Sequence, residues 1–75
     1  MIRYENFGGN SGVFAHKIDQ ESITIEFDDG SMYLYDVHST STENITEMQR
    51  LAIAGKGLNS YISRVGRKEY AEKIR

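Results

Sequence analysis

Ser22-Ile23-Thr24-Ile25-Glu26-Phe27-Asp28-Asp29-Gly30-Ser31-Met32-Tyr33-Leu34-Tyr35 is the stretch that decides the fold. Ile23, Ile25 and Phe27 alternate with Ser22, Thr24 and Glu26, the period of a half-buried strand. Asp29-Gly30 between two alternating runs marks a hairpin turn, and a further strand runs from Ser31 to about Val37. Two registers are open. A two-residue turn pairs Phe27 with Met32 and sets Ile25 beside Leu34. A type I turn with Gly30 as a bulge pairs Phe27 with Ser31, Ile25 with Tyr33 and Ile23 with Tyr35. A slip of one residue exchanges the faces. The bulged register is preferred, because it gathers Ile23, Ile25, Phe27, Tyr33 and Tyr35 on one side, where aromatic and β-branched residues pair favourably across strands.

Upstream, Val13 to Ile18 has the β-branched and aromatic content of a strand, with Asp19-Gln20-Glu21 as the turn into the next. Gly8-Gly9-Asn10-Ser11-Gly12 reads as loop, and residues 1–10 as a loosely ordered segment from which Tyr4 and Phe7 reach the core. Downstream, residues 38–43 form a polar linker. Asn44 followed by Glu47 has the spacing of a capping box. The helix it opens runs to about Ala54, with Ile45, Met48, Leu51 and Ala52 on one face and Gly55 and Gly57 at its end. Leu58, Tyr61, Ile62 and Val65 are spaced for a second amphipathic helix. Tyr70 and Ile74 extend an apolar face at i, i+4, and Glu69 and Lys73 have the spacing of a helical ion pair, so residues 66–75 read as a helical extension.

The expected fold class is therefore α+β: one domain over residues 1–75, with a three-stranded antiparallel sheet followed by two to three C-terminal helices packed on one face. The expected core is Val13, Ile23, Ile25, Phe27, Tyr33, Tyr35, Ile45, Met48, Leu51, Leu58, Tyr61, Ile62 and Val65. A chain of 75 residues buries only roughly 60% of its unfolded surface, so its stability margin is thin.

Composition narrows the chemistry. With no Cys and two His, there is no thiolate site, no disulfide and no zinc-ligand spacing. No metal or cofactor is expected. The longest aliphatic run, Leu51-Ala52-Ile53-Ala54, is far too short to span a bilayer, and no signal segment opens the chain. A soluble, cytoplasmic protein with no membrane role is the expectation. Ser11, Ser31, Ser60 and His16 are reactive residue types without the spacing of a nucleophile, base and orienting group. His16 reads as a surface or rim residue, and Asp28 and Asp29 as solvated turn formers. No catalytic residue is assigned, and the protein is expected not to be an enzyme.

Charge is unevenly placed. Residues 1–54 carry three basic and nine acidic side chains, residues 55–75 six basic and two acidic, for an overall net of −2. Were the helix to persist through Gly66, then Ser60, Arg64, Arg67 or Lys68, Ala71 and Arg75 would line one side. With Lys56 they would make the electrostatic footprint of a nucleic-acid contact. The expected contact residues are Lys56, Asn59, Arg64, Arg67 and Lys68, and the expected partner is RNA or another polyanion. If Leu58 opens a helix, its free N–H groups beside Lys56 would offer an anion site, although a glycine-rich corner, with Asn59 satisfying local backbone, is the preferred reading. Exposed, Tyr33 and Tyr35 would be base-stacking platforms; the bulged register instead turns them under the helices. The alternative function is a protein-interaction or self-associating module, homo-oligomeric or with another protein, that uses Met32 and Leu34 on the outer sheet face together with Ile53.

Taken in order, Ser11-x-Val13, Ile18-Asp19, Ile23-x-Ile25-x-Phe27, Gly30-Ser31, Tyr33-x-Tyr35, Val37 and Gly55-Lys56-Gly57-Leu58-Asn59-x-x-Ile62 resemble the KTSC domain family. This is a bacterial and phage-associated module about as long as residues 11–64. The resemblance implies motif positions at Gly30, Ser31, Tyr33, Tyr35, Gly55, Lys56, Asn59 and Ile62. It also implies a small domain of the kind found at the C-terminus of some lysyl-tRNA synthetases, and through that company RNA contact. The chain departs from the family in having no Pro before its first helix, a longer linker over 38–43 and Gly57-Leu58 in place of an aromatic pair. Residues 66–75 lie beyond the resemblance.

Overall fold

The computed structural model describes every residue except Gly8, Asn10 and Ser11. Most of the loop expected over residues 8–12, and Ser11 of the motif, therefore lie outside the described residues. The fold is α+β. Strands β1 (Ile2–Arg3), β2 (Val13–Asp19), β3 (Ser22–Phe27) and β4 (Met32–Asp36) precede helices α1 (Thr42–Ala54) and α2 (Leu58–Val65), and β5 (Glu72–Lys73) closes the chain. The strands form one antiparallel sheet in the order β1-β2-β3-β4-β5.

The hairpin takes the bulged register. Ile23 faces Tyr35, Ile25 faces Tyr33 and Glu26 faces Met32. The turn closes by Phe27 N–H to the Ser31 carbonyl at 2.9 Å and Gly30 N–H to the Phe27 carbonyl at 2.9 Å. Gly30 sits at φ +89°, a left-handed conformation that a residue with a Cβ adopts only at a cost. The Asp29 carboxylate Oδ1 accepts from both Ser31 N (2.9 Å) and Ser31 Oγ (2.6 Å), an Asx-type brace that fixes the tip.

A second bulge lies in β2, where the register shifts between Val13 and Ala15. It brings Val13 opposite Phe27 and His16 opposite Ile25. Two residues an odd number apart thus share the covered face, which regular alternation forbids. His16, expected at the surface or rim, is consequently buried at 4% exposure. Its Nδ1 has no hydrogen-bond partner among the described residues. Burial pushes the imidazole below its ordinary pKa, opposed by the Ala52 backbone carbonyl, so the ring is held neutral.

The helices cover the face bearing Ile23, Ile25, Phe27 and Tyr35, contributing Ile45, Met48, Ala52, Leu58 and Ile62 to one buried cluster. Tyr33, Leu51 and Tyr61 from the expected core pack at its rim, and Val65 is half-buried. Gln49 Nε2 ties α1 to the β2–β3 turn by donating to the Asp19 and Ser22 carbonyls at 2.8 and 3.0 Å. The α1 cap is Ser41, not Asn44: Ser41 Oγ accepts from Asn44 N–H at 3.1 Å. The Asn44 side chain instead bridges Thr40 Oγ1 and the Tyr61 hydroxyl. A hydroxyl three residues upstream suits this role as well as an amide, which is why the linker is shorter than expected. Gly55 ends α1 at φ +73°, donating to the Leu51 and Ala52 carbonyls.

Both chain ends correct the three-stranded expectation. The N-terminal segment supplies β1 and then Tyr4, which is buried at 3% exposure. The Tyr4 hydroxyl accepts from Leu58 N–H at 3.2 Å. Phe7, expected to reach the core, is 69% exposed, although its N–H donates to the Gly55 carbonyl at 2.7 Å. At the other end no helix forms over 66–75. Gly66 at φ +122° ends α2, and the chain turns back to lie antiparallel to β4, with Tyr33 opposite Lys73 and Leu34 opposite Glu72. Ala71 N–H donates to the Leu34 carbonyl at 2.6 Å and Ile74 N–H to the Met32 carbonyl at 2.8 Å. A nine-residue tail is too short to be stable as a separate helix in water, whereas pairing satisfies the open edge of β4. The helical Glu69–Lys73 ion pair and the basic stripe through Arg75 lose their geometric basis with that helix.

Candidate functional site

The returning C-terminal segment and the hairpin tip enclose a cavity of about 280 Å³ lined by Phe27, Asp29, Ser31, Tyr33, Tyr35, Arg67, Lys68 and Tyr70. Its floor is aromatic. The Phe27 and Tyr33 ring centroids lie 5.7 Å apart, edge to face; Tyr33 and Tyr70 lie 4.8 Å apart, and Tyr35 and Tyr70 6.4 Å apart. These spacings are those of favourable aromatic pairs. The fold dictates the cluster: the bulged register turns Phe27, Tyr33 and Tyr35 to one face, and the tail brings Tyr70 across them.

Tyr35 is 2% exposed, and its hydroxyl donates to the Arg67 carbonyl at 3.0 Å. Burial pushes its pKa up to about 12, with the Arg67 charge opposing. The phenol therefore stays protonated and pins the turn after Gly66 onto the sheet. That bond places the Arg67 guanidinium carbon 4.8 Å from the Phe27 ring centroid, within cation–π range. Lys68, next in the chain, is exposed at the mouth. At the same cavity, the Ser31 bonds and, more weakly, Arg67 hold the Asp29 carboxyl below its ordinary pKa, so it is charged.

Of the residues expected from sequence, Arg67, Lys68, Ser31, Tyr33 and Tyr35 converge on this cavity, and Gly30 lies in the turn between two of its lining residues, Asp29 and Ser31. Lys56, Asn59 and Arg64 do not line it. Lys56 is exposed at the α1–α2 corner, and Arg64 lies 5.6 Å from the Tyr61 ring centroid. Asn59 Oδ1 is buried with no hydrogen-bond partner among the described residues, and a Cβ on Gly12 would lie 3.6 Å from it. At the start of α2 the Tyr4 hydroxyl takes one of the free N–H groups, that of Leu58. Arg75 is not free either: it donates to the Gly30 carbonyl and to Glu26. Gly55 and Ile62 are structural, at the α1 cap and in the core.

Sequence reasoning missed Tyr70, Phe27 and Asp29 as site residues. Tyr70 was masked by its helical spacing from Ile74, and the only local signal against that helix is Gly66. Phe27 and Asp29 read as core and turn, and both also fill those roles.

A shallower depression of about 620 Å³ lies between the N-terminal segment and β2, lined by residues that include Arg3, Tyr4, Phe7, Phe14 and Asp28. It is larger and more open; three aromatic residues line it, and the Arg3 guanidinium carbon lies 5.3 Å from the Phe14 ring centroid. On the outer sheet face Met32 and Leu34 are half-buried rather than exposed, while Ile53 on α1 is 73% exposed. Among the described residues no cluster of His, Asp and Glu is disposed to hold a metal ion, and no helix is long and apolar enough to cross a membrane. Compared with family models, curated proteins and solved structures, the chain matches none.

Proposed function

We propose that this chain is a non-catalytic binding module for single-stranded RNA that takes one base into the aromatic cavity between the hairpin tip and the 66–71 turn. The observation that carries the reading is Arg67 held over Phe27, with Lys68 beside it, at the mouth of a cavity floored by tyrosines. Aromatic faces and guanidinium groups stack bases without needing a sequence, and adjacent cations hold the phosphates. The volume suits one ring system rather than an extended ligand. An organic cation would also favour aromatic rings. Here, however, Arg67 lies over Phe27 and Lys73 lies 5.9 Å from the Tyr33 centroid, so the chain's own cations compete for those faces and favour an anionic partner. The resemblance to the KTSC family agrees in ligand class.

Fluorescence anisotropy of a labelled single-stranded RNA pentamer at low salt tests the reading. Binding that weakens steeply with salt is expected, and the double substitution Arg67→Ala, Lys68→Ala should weaken it about tenfold or more. Neutralising Lys56 and Arg64 should cost less than that. Absence of binding at low salt, or equal losses from the two pairs, would remove the cavity as the site.

A further inference from the structure

We propose, resting on the RNA reading of the same cavity, that the hairpin tip makes it selective for guanine. A base on the Arg67–Phe27 wall would turn its edge toward the tip, where Asp29 and Ser31 also line the cavity. The hydrogen bonds within the tip decide what those two residues can recognise. Asp29 Oδ1 already accepts two bonds, from Ser31 N and Ser31 Oγ. An ionised carboxylate has no proton, so the Ser31 hydroxyl must be the donor, and that donor is then spent. Both Ser31 bonds fall on Oδ1, which leaves Oδ2 to accept from a ligand, and the remaining Ser31 Oγ lone pairs also accept. The Asp29 and Ser31 side chains therefore present acceptors only.

Guanine alone among the common bases offers two adjacent donors, N1–H and the N2 amino group, on its pairing edge. Adenine and cytosine offer one amino group beside a bare ring nitrogen. Uracil offers N3–H between two carbonyl oxygens, both of which a carboxylate repels. A wall of acceptors favours the base with paired donors and penalises each exposed acceptor. Arg67 and Lys68 remain for the phosphate, so base choice and charge attraction are carried by different residues.

The test compares labelled UUGUU and UUUUU pentamers, with UUIUU as a third probe, because inosine keeps N1–H but lacks the amino group. The wild-type protein should bind UUGUU at least about fivefold more tightly than UUUUU, with UUIUU between them. Asp29→Asn keeps a good turn former at the tip but places an amide N–H₂ donor on the wall. In that variant the preference should fall to within about twofold, and circular dichroism should show the fold retained. Equal wild-type affinities for UUGUU and UUUUU, or an unchanged preference in Asp29→Asn, would overturn guanine selectivity while leaving RNA binding in place. Failure of every pentamer to bind at low salt would instead overturn the RNA reading and this inference with it.

Discussion

Shortening Ile25 to alanine is expected to remove about 4 kcal/mol of stability, the upper part of the range for truncating a fully buried aliphatic side chain. Ile25 is completely buried on the central strand, with His16 opposite on one side and Tyr33 on the other. Its neighbours are fixed by two hairpins and by the helices above, so the space left behind cannot collapse easily. A chain of 75 residues has of order 4–11 kcal/mol in total, so the variant should be close to the limit of folding. Urea denaturation followed by circular dichroism reads this as a large fall in midpoint. An unchanged midpoint would mean that Ile25 is not at the centre of the core.

The second large effect is at Gly55. Gly55→Ala should cost about 2–3 kcal/mol and Gly30→Ala about 1 kcal/mol, although both glycines have positive φ. The difference is crowding. A Cβ at Gly55 would lie 2.9 Å from Glu5 Cβ and 3.1 Å from two carbons of the Phe7 ring, whereas at Gly30 nothing lies within 4 Å. The exposed Phe7 ring can swing aside, but Glu5 Cβ moves only with its backbone. That backbone is anchored by Phe7 N–H on the Gly55 carbonyl and by Tyr4 in the core. Thermal unfolding of the two variants side by side separates conformational cost from contact. Equal shifts would show that the N-terminal segment does not pack on the α1 terminus.

The centre of this fold was legible because its signals are local. Strict alternation from Ser22 to Phe27, the Asp29-Gly30 turn and the helical spacing of Ile45, Met48, Leu58 and Ile62 each act within a few residues. What escaped detection depends on tertiary pairing. Ile2–Arg3 and Glu72–Lys73 are two residues each, too short for any period to show. The 66–75 tail has Tyr70 and Ile74 at helical spacing, and only the open edge of β4 makes pairing the better outcome. His16 was misplaced because a bulge leaves no residue-type signature. The candidate site divides in the same way. Tyr33, Tyr35, Arg67 and Lys68 were picked out from sequence for separate reasons, stacking and charge. That they share one cavity follows from the tail's return, which also separates Arg67 and Lys68 from the Lys56 and Arg64 positions once grouped with them.

Because the cavity exists only if the tail returns to the sheet, backbone proton NOEs over residues 67–75 are the most direct measurement. The expected result is cross-strand contacts between Tyr33–Leu34 and Glu72–Lys73, slow exchange of the Ala71 and Ile74 amides, and Tyr70 ring protons close to those of Tyr33. Continuous helical i to i+3 contacts from Arg67 to Arg75, with the Tyr70 ring remote from Tyr33, would contradict it and dissolve the site.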